Sequence, residues 1–258
     1  MEKEGKYIYC IIESDTPQSF GATGIGGRGD EVHTVCSNGL AAEVSNSPIK
    51  KYPVSRENLL CHQRTVEEAM KTHTVLPVKF VTIAKDEQQV KMILEAEHDK
   101  FMDLFKKLDG KEELGLKAIF KEDVIYDKIL GTYHDIKAAK EGIASLSPEE
   151  RHHQLIEVGR QVEVALQKER EICAGAISSA LVPLSVDMKV NDTYGSMMIL
   201  NAAFLVEKCR EGEFDEKVEE LNQRFGDAVS FKYVGPVPAC NFVNLVIEME
   251  KYPNGISA

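Results

Sequence analysis

The chain has 258 residues, enough for one large domain or two small ones, and its hydrophobic fraction of 43% and charged fraction of 28% are ordinary for a globular protein. Its formal net charge of −11 gives a surface that repels phosphate backbones, which argues against sequence-independent nucleic-acid binding. No apolar run approaches the roughly 18 residues a membrane span needs, and the opening MEKEGKYIYCIIE lacks the apolar core and cleavage site of a signal peptide, so a cytoplasmic protein with no membrane partner is expected.

Tyr7 to Ile12 (YIYCII) is a continuous aromatic and β-branched run and reads as a strand buried on both faces. A glycine-rich stretch, Gly21 to His33, follows. Then VHTVCSNGLAAEVS carries two strand-like pieces around Asn38-Gly39, the dipeptide that best tolerates a type I′ turn. Ser55 is placed to cap a helix running to about Lys71, with Leu59, Leu60, Val66 and Met70 near one face. Val75 to Ile83 (VLPVKFVTI) reads as a strand with Pro77 at an edge or near its start. Asp86 to about Leu108 reads as one amphipathic helix with Val90, Ile93, Leu94, Phe101, Leu104, Phe105 and Leu108 inward; Asp109-Gly110 ends it and ELGLKAIF is the next strand.

From Lys121 to about Ile177 the pattern is helical and rich in both charge signs. Ser147-Pro148-Glu149-Glu150 has the cap, first-turn proline and acidic residues a helix start favours. SVDMKVND and GSMMILNAAFLVEK then read as strands, Phe214 to Phe225 as a helix ended by Gly226, and AVSFKYVGP as a last strand. That order matches the final elements of a ferredoxin-like split βαβ unit. The expectation is an α+β fold in two domains: an N-terminal mixed sheet domain (1–120), a helical connector (121–180) and a C-terminal ferredoxin-like domain (181–258).

The chemistry is sparse. Gly24-Ile25-Gly26-Gly27-Arg28-Gly29 spells G-x-G-x-x-G, but the pyrophosphate fingerprint needs a helix opening after the loop, and here a hairpin follows. Glu43, at about the spacing of a ribose-binding acid, falls near the end of a hairpin strand. The glycines therefore read as conformational. Arg28 is the one arginine in position for a phosphate-holding loop of the acyl-phosphatase kind, and no water-positioning amide accompanies it. Arg28-Gly29-Asp30 is a chance adhesion tripeptide. Glu149 and His153 stand at i,i+4 and read as a surface pair; His152 and His153 point apart. Cys10, Cys36, Cys61, Cys173, Cys209 and Cys240 form no C-x-x-C pair and read as reduced, mostly buried small hydrophobes. No nucleophile–base constellation emerges, so no enzyme, cofactor or metal is expected.

Taken together, YIYCII, GIGG, VHTVCSNGLAAEVS, RENLLCHQRTVEEAM, VLPVKFVTI, KKLDGKEELGLK, LNAAFLVEK and FKYVGPVPACNFV, in this order from Tyr7 to about Val246, resemble the gas vesicle accessory protein family GvpF/GvpL. The chain departs from the family pattern at Val81, where a glycine is usual, and across Gly235-Pro236-Val237-Pro238-Ala239-Cys240-Asn241-Phe242, where a more aromatic and proline-rich segment is usual; these mark a divergent member. The resemblance implies two α+β domains joined by helices, the second ferredoxin-like. It also implies a non-enzymatic role in gas vesicle formation, as a minor component or assembly factor in contact with the major shell protein GvpA and with other accessory proteins, in the cytoplasm or on the vesicle. Pro77, Val78 and Phe80 on the VLPVKF edge are the partner-contact candidates. The competing readings are a small-ligand-binding regulatory module on ferredoxin-like domains and a phosphate-processing enzyme using the glycine loop.

Overall fold

A computed structural model describes residues 3–247 and 249–252. The chain packs as two compact units, Met1–Glu113 with Pro236–Ala258, and Leu114–Gly235.

The first unit is built on a sheet of order β2-β3-β4-β1-β5, with β6 also on β1. Its strands are β1 (Glu4–Glu13), β2 (Ser19–Gly21), β3 (Val32–Ser37), β4 (Leu40–Pro48), β5 (Val75–Pro77) and β6 (Ile83–Ala84). Strands β3 and β4 meet at Asn38 (φ 52°) and Gly39 (φ 80°), the two left-handed residues of a tight hairpin turn. Strand β1 is central and bulged: Ile8 pairs Val44 and Cys10 pairs Glu43, leaving Tyr9 as the extra residue. The bulge resets the alternation, so Tyr7, Tyr9, Cys10 and Ile12 all join one core with Val66 and Ala69. Those two residues belong to helix α1 (Arg56–Met70), whose start is capped by the Ser55 hydroxyl accepting the Asn58 N–H.

Two expectations change here. The anticipated single helix from Asp86 is two, α2 (Glu87–Ala96) and α3 (His98–Leu108). Glu97 leaves helical backbone (φ −101°, ψ 11°), and its carboxylate is held by the Tyr252 hydroxyl at 2.6 Å and by Lys100 at 2.8 Å. The anticipated strand from Val75 to Ile83 ends at Pro77. Val78 N–H still bonds Tyr9 O at 3.0 Å, but the chain then turns, Thr82 Oγ1 donating to Lys79 O at 2.7 Å, before β6 begins. Val81 sits in that turn at φ 65°.

The second unit has a four-stranded sheet of order β10-β7-β9-β8. Its strands are β7 (Lys111–Phe120), β8 (Asp187–Val190), β9 (Met198–Glu207) and β10 (Val229–Val237). Helices α4 (Glu122–Thr132), α5 (His134–Gly142) and α6 (Pro148–Leu181) come between β7 and β8, and α7 (Glu211–Phe225) between β9 and β10. Counting from β7, the spatial order is fourth-first-third-second, that of a split βαβ unit.

This packing differs from the domain limits expected at 120 and 180. Strand β7 belongs to the second sheet, and residues 121–180 are no separate connector. Ile125, Ile129, Ile136, Ala165, Cys173 and Ile177 share one core with Phe204 and Phe214. After β10 the chain returns to the first unit, where Asn241 donates to the Glu113 carboxylate through its N–H at 2.9 Å and its side-chain amide at 2.6 Å. The expected 181–258 domain thus loses its end to the first unit, and residues 253–258 lie outside the described residues.

Candidate functional site

The first unit gathers an unusual set of polar groups on the sheet face beneath α1. Period-two alternation along β4 turns Glu43, Ser45 and Ser47 to that face, all fully buried. Tyr9 hydroxyl bonds Ser45 Oγ at 2.8 Å and accepts the Ile25 N–H at 2.8 Å. Tyr7 hydroxyl accepts the Val81 N–H at 3.0 Å and lies 3.0 Å from His62 Nδ1 on α1. Tyr52 hydroxyl bonds Ser47 Oγ at 2.9 Å. The tyrosines are thus posts that pin loops to the sheet, with Tyr7–Tyr9 ring centroids 4.8 Å apart and His62–Phe80 centroids 5.8 Å apart.

Burial controls the electrostatics of this face. It pushes the Glu43 carboxyl up to about 7, against the opposing hydrogen bond from Cys10, whose thiol donates to Glu43 Oε2 at 3.0 Å. Glu43 Oε1 has no hydrogen-bond partner. The Cys10 thiol is itself pushed well up, by burial first and by Glu43 second, and burial raises both Tyr7 and Tyr9. Burial lowers His62 to about 4, so the imidazole is neutral at neutral pH. The thiol and phenols are thus held protonated, the reverse of nucleophile activation. The arrangement positions loops.

The glycine-rich loop is one of them. Gly24 N–H bonds Asp30 O at 2.9 Å and Ile25, fully buried, donates to Tyr9, so these amides are already spent on the protein. Gly26 (φ 86°) lies so close to Tyr52 that a Cβ there would stand 3.1 Å from the ring. Arg28 bonds Glu4 at 3.0 Å and Asp30 at 3.0 Å, which occupies the guanidinium considered for phosphate. Strand β3, not a helix, follows.

Of the partner-contact candidates, Pro77 and Val78 are buried and Phe80 is half-buried against Tyr7 and His62. Pro77 and Val78 therefore present no side-chain surface. Beside them lies a groove of about 380 Å³ lined by Ile49, Lys50, Lys51, Val81, Ile83 and Met249, with Ile49 43% exposed. Pattern reading does not single out His62, Tyr9, Tyr52 or Ser45; the signal is the period-two register of LAAEVSNS against a bulged β1. The cysteines are less buried than expected: Cys10 and Cys173 are buried, Cys36 and Cys61 half-buried, Cys209 and Cys240 exposed. Glu149, His152 and His153 are exposed on the first turns of α6. Among the described residues no cluster of His, Cys, Asp or Glu could hold a metal ion, and no helix is long and apolar enough to cross a membrane.

Fold and sheet order make this an α+β protein with a split βαβ unit. The family model for the gas vesicle synthesis protein GvpL/GvpF matches residues 5–244, and the chain belongs to that family. It is 28% identical to gas vesicle protein F of Dolichospermum flosaquae over 88% of this chain and 92% of that one. It is also 28% identical to gas vesicle protein F of a Streptomyces species, over 92% and 98%. The crystal structure of GvpF from Anabaena sp. PCC7120 superposes with a TM-score of 0.79 at 25% identity, covering 95% of this chain and all of that one (100%). The chain is a gas-vesicle-related protein.

Proposed function

We propose that this protein is a non-enzymatic gas vesicle assembly factor, acting in the cytoplasm and at the growing vesicle, that holds shell subunits, of the GvpA kind, until they polymerise. The observation that carries this reading is the family match across residues 5–244. The physical rationale is that a shell subunit must hide a large apolar surface before assembly, because an exposed patch of more than a few hundred Å² invites aggregation. The first unit supplies a surface suited to holding such a patch. It is the β5–β6 edge with the accessible part of Phe80, continuing into the groove of Ile49, Val81 and Ile83 with Lys50 and Lys51 at its margin. An apolar segment with acidic neighbours suits such a groove.

The test is capture of the shell protein by the full-length chain, compared with Ile83→Asp and Phe80→Asp variants shown to be folded. Retention by the wild type and loss in the variants is expected. No capture by the wild type refutes the reading. A fragment ending at residue 120 is a poor bait, since it lacks residues 236–247 and 249–252, which pack in the first unit, Asn241 among them holding Glu113.

A further inference from the structure

Helix α6 runs for 34 residues and turns one face outward. On that face lies a groove of about 580 Å³, lined by Arg160, Glu163, Val164, Gln167 and Arg170 of α6 and by Ser196 of the β8–β9 connection. Val164 is 60% exposed. Arg170 is half-buried, its Nε shielded from solvent without an acceptor, and its Nη2 reaches only the Thr193 hydroxyl at 3.4 Å. Arg160, on the same groove, holds a carboxylate, that of Glu157 at 2.7 Å. Arg170 does not, and Glu163 on the same groove has no partner among the described residues. A guanidinium partly removed from water without a carboxylate is costly, and a matching charge from outside offsets that cost.

We infer that this groove is a self-association surface, and that its occupant is α6 of a second copy of the chain, lying antiparallel. Glu163 and Arg170 are seven positions apart, two helical turns or about 10 Å along the axis. In a two-fold antiparallel pair, Glu163 of one copy then faces Arg170 of the other and the reverse, with the exposed Gln167 side chains near the centre. The contact is isologous, so the Glu163–Arg170 pairing is made twice, and each Arg170 gains the carboxylate it lacks. Arg160, Val164 and Lys168 form an i±4 ridge. A second hollow, of about 250 Å³ and lined by Gln161, Ala165 and Lys168, flanks its other side, the relief that helix ridges pack into. Val164 is covered in the process.

The test is sedimentation equilibrium of the full chain at high micromolar concentration. The wild type is expected at a mass near twice 28.8 kDa. Arg170→Glu and Glu163→Arg each bring like charges together and weaken the dimer at least about tenfold. The double variant Glu163→Arg/Arg170→Glu restores both pairs and recovers the dimer. Circular dichroism confirms folding; should a reversal variant unfold, Glu163→Gln and Arg170→Gln are used, with weakening again expected. A monomeric wild type, single variants that dimerise as the wild type does, or a folded double variant that stays monomeric overturns the inference.

Discussion

Beneath α1 the first unit buries Tyr7, Tyr9, Glu43, Ser45 and Ser47, whereas the core of the second is Leu114, Leu116, Phe204, Val206, Phe214 and Val218. Phe204 and Phe214 pack with centroids 5.2 Å apart, and the second unit's buried acid, Glu169, is paired by Lys128 at 2.7 Å. The second unit is therefore held mainly by area and packing, and its buried acid is paired. The first is held partly by hydrogen bonds that end loops on hydroxyls, and Glu43 at its centre keeps one carboxylate oxygen without a hydrogen-bond partner. Such a network specifies loop positions at some cost in stability.

Four substitutions break or sharpen this contrast. The largest effect is expected from Phe214→Ala, which empties the apolar core and destabilises the second unit by about 3–5 kcal/mol, read by denaturant unfolding. Glu43→Gln acts on the other core and depends on pH. Folding raises the Glu43 carboxyl from about 4.5 to about 7, so the folded state binds the proton more tightly and the wild type loses stability as pH rises across that window. At pH 8 the variant is expected to be more stable than the wild type by up to about 3 kcal/mol, with the gain gone at pH 4. His62 works the other way: its folded value is lowered from 6.5 to about 4, so stability falls as pH drops through that range. In the wild type the two slopes oppose each other; Glu43→Gln should expose the acid sensitivity of His62, visible as a melting temperature that falls steadily below pH 6.5. A variant whose melting curve tracks the wild type at every pH would contradict the account of this face.

Tyr9→Phe leaves the buried Ile25 N–H and Ser45 hydroxyl without their partner, at a cost of about 1–3 kcal/mol, and should speed hydrogen exchange at Ile25 more than at Phe204. The smallest effect is Val81→Gly. A β-branched residue at φ 65° is strained, and relief of that strain outweighs the lost contacts and the added freedom of the unfolded glycine, giving a gain of about 1 kcal/mol. A loss of stability would show that the Val81 side chain holds its turn by packing.

Much of the fold is legible in the sequence because its signals are local. Asn38-Gly39, the Ser55 cap and the Ser147-Pro148-Glu149-Glu150 helix start are each a few residues long, and each forms as read; the last gains a reciprocal contact, Ser147 N–H donating to Glu150 at 3.1 Å. The failures are non-local. The break at Glu97 is fixed in part by Tyr252, far along the chain, and the membership of β7 in the second sheet depends on strands that follow it by more than sixty residues. Val81 stands out in the sequence as a departure from the family glycine, but its left-handed backbone is visible only with the turn in place. The polar face escapes because a single bulge at Tyr9 shifts which residues of YIYCII share a side, and alternation alone gives the wrong set.

The assembly role itself is tested most directly by deleting the gene and counting and imaging gas vesicles in the cells. The account predicts vesicles that are absent, few or malformed, restored by the wild-type chain and not by the groove variant Ile83→Asp. Vesicles normal in number and shape without the protein would contradict it.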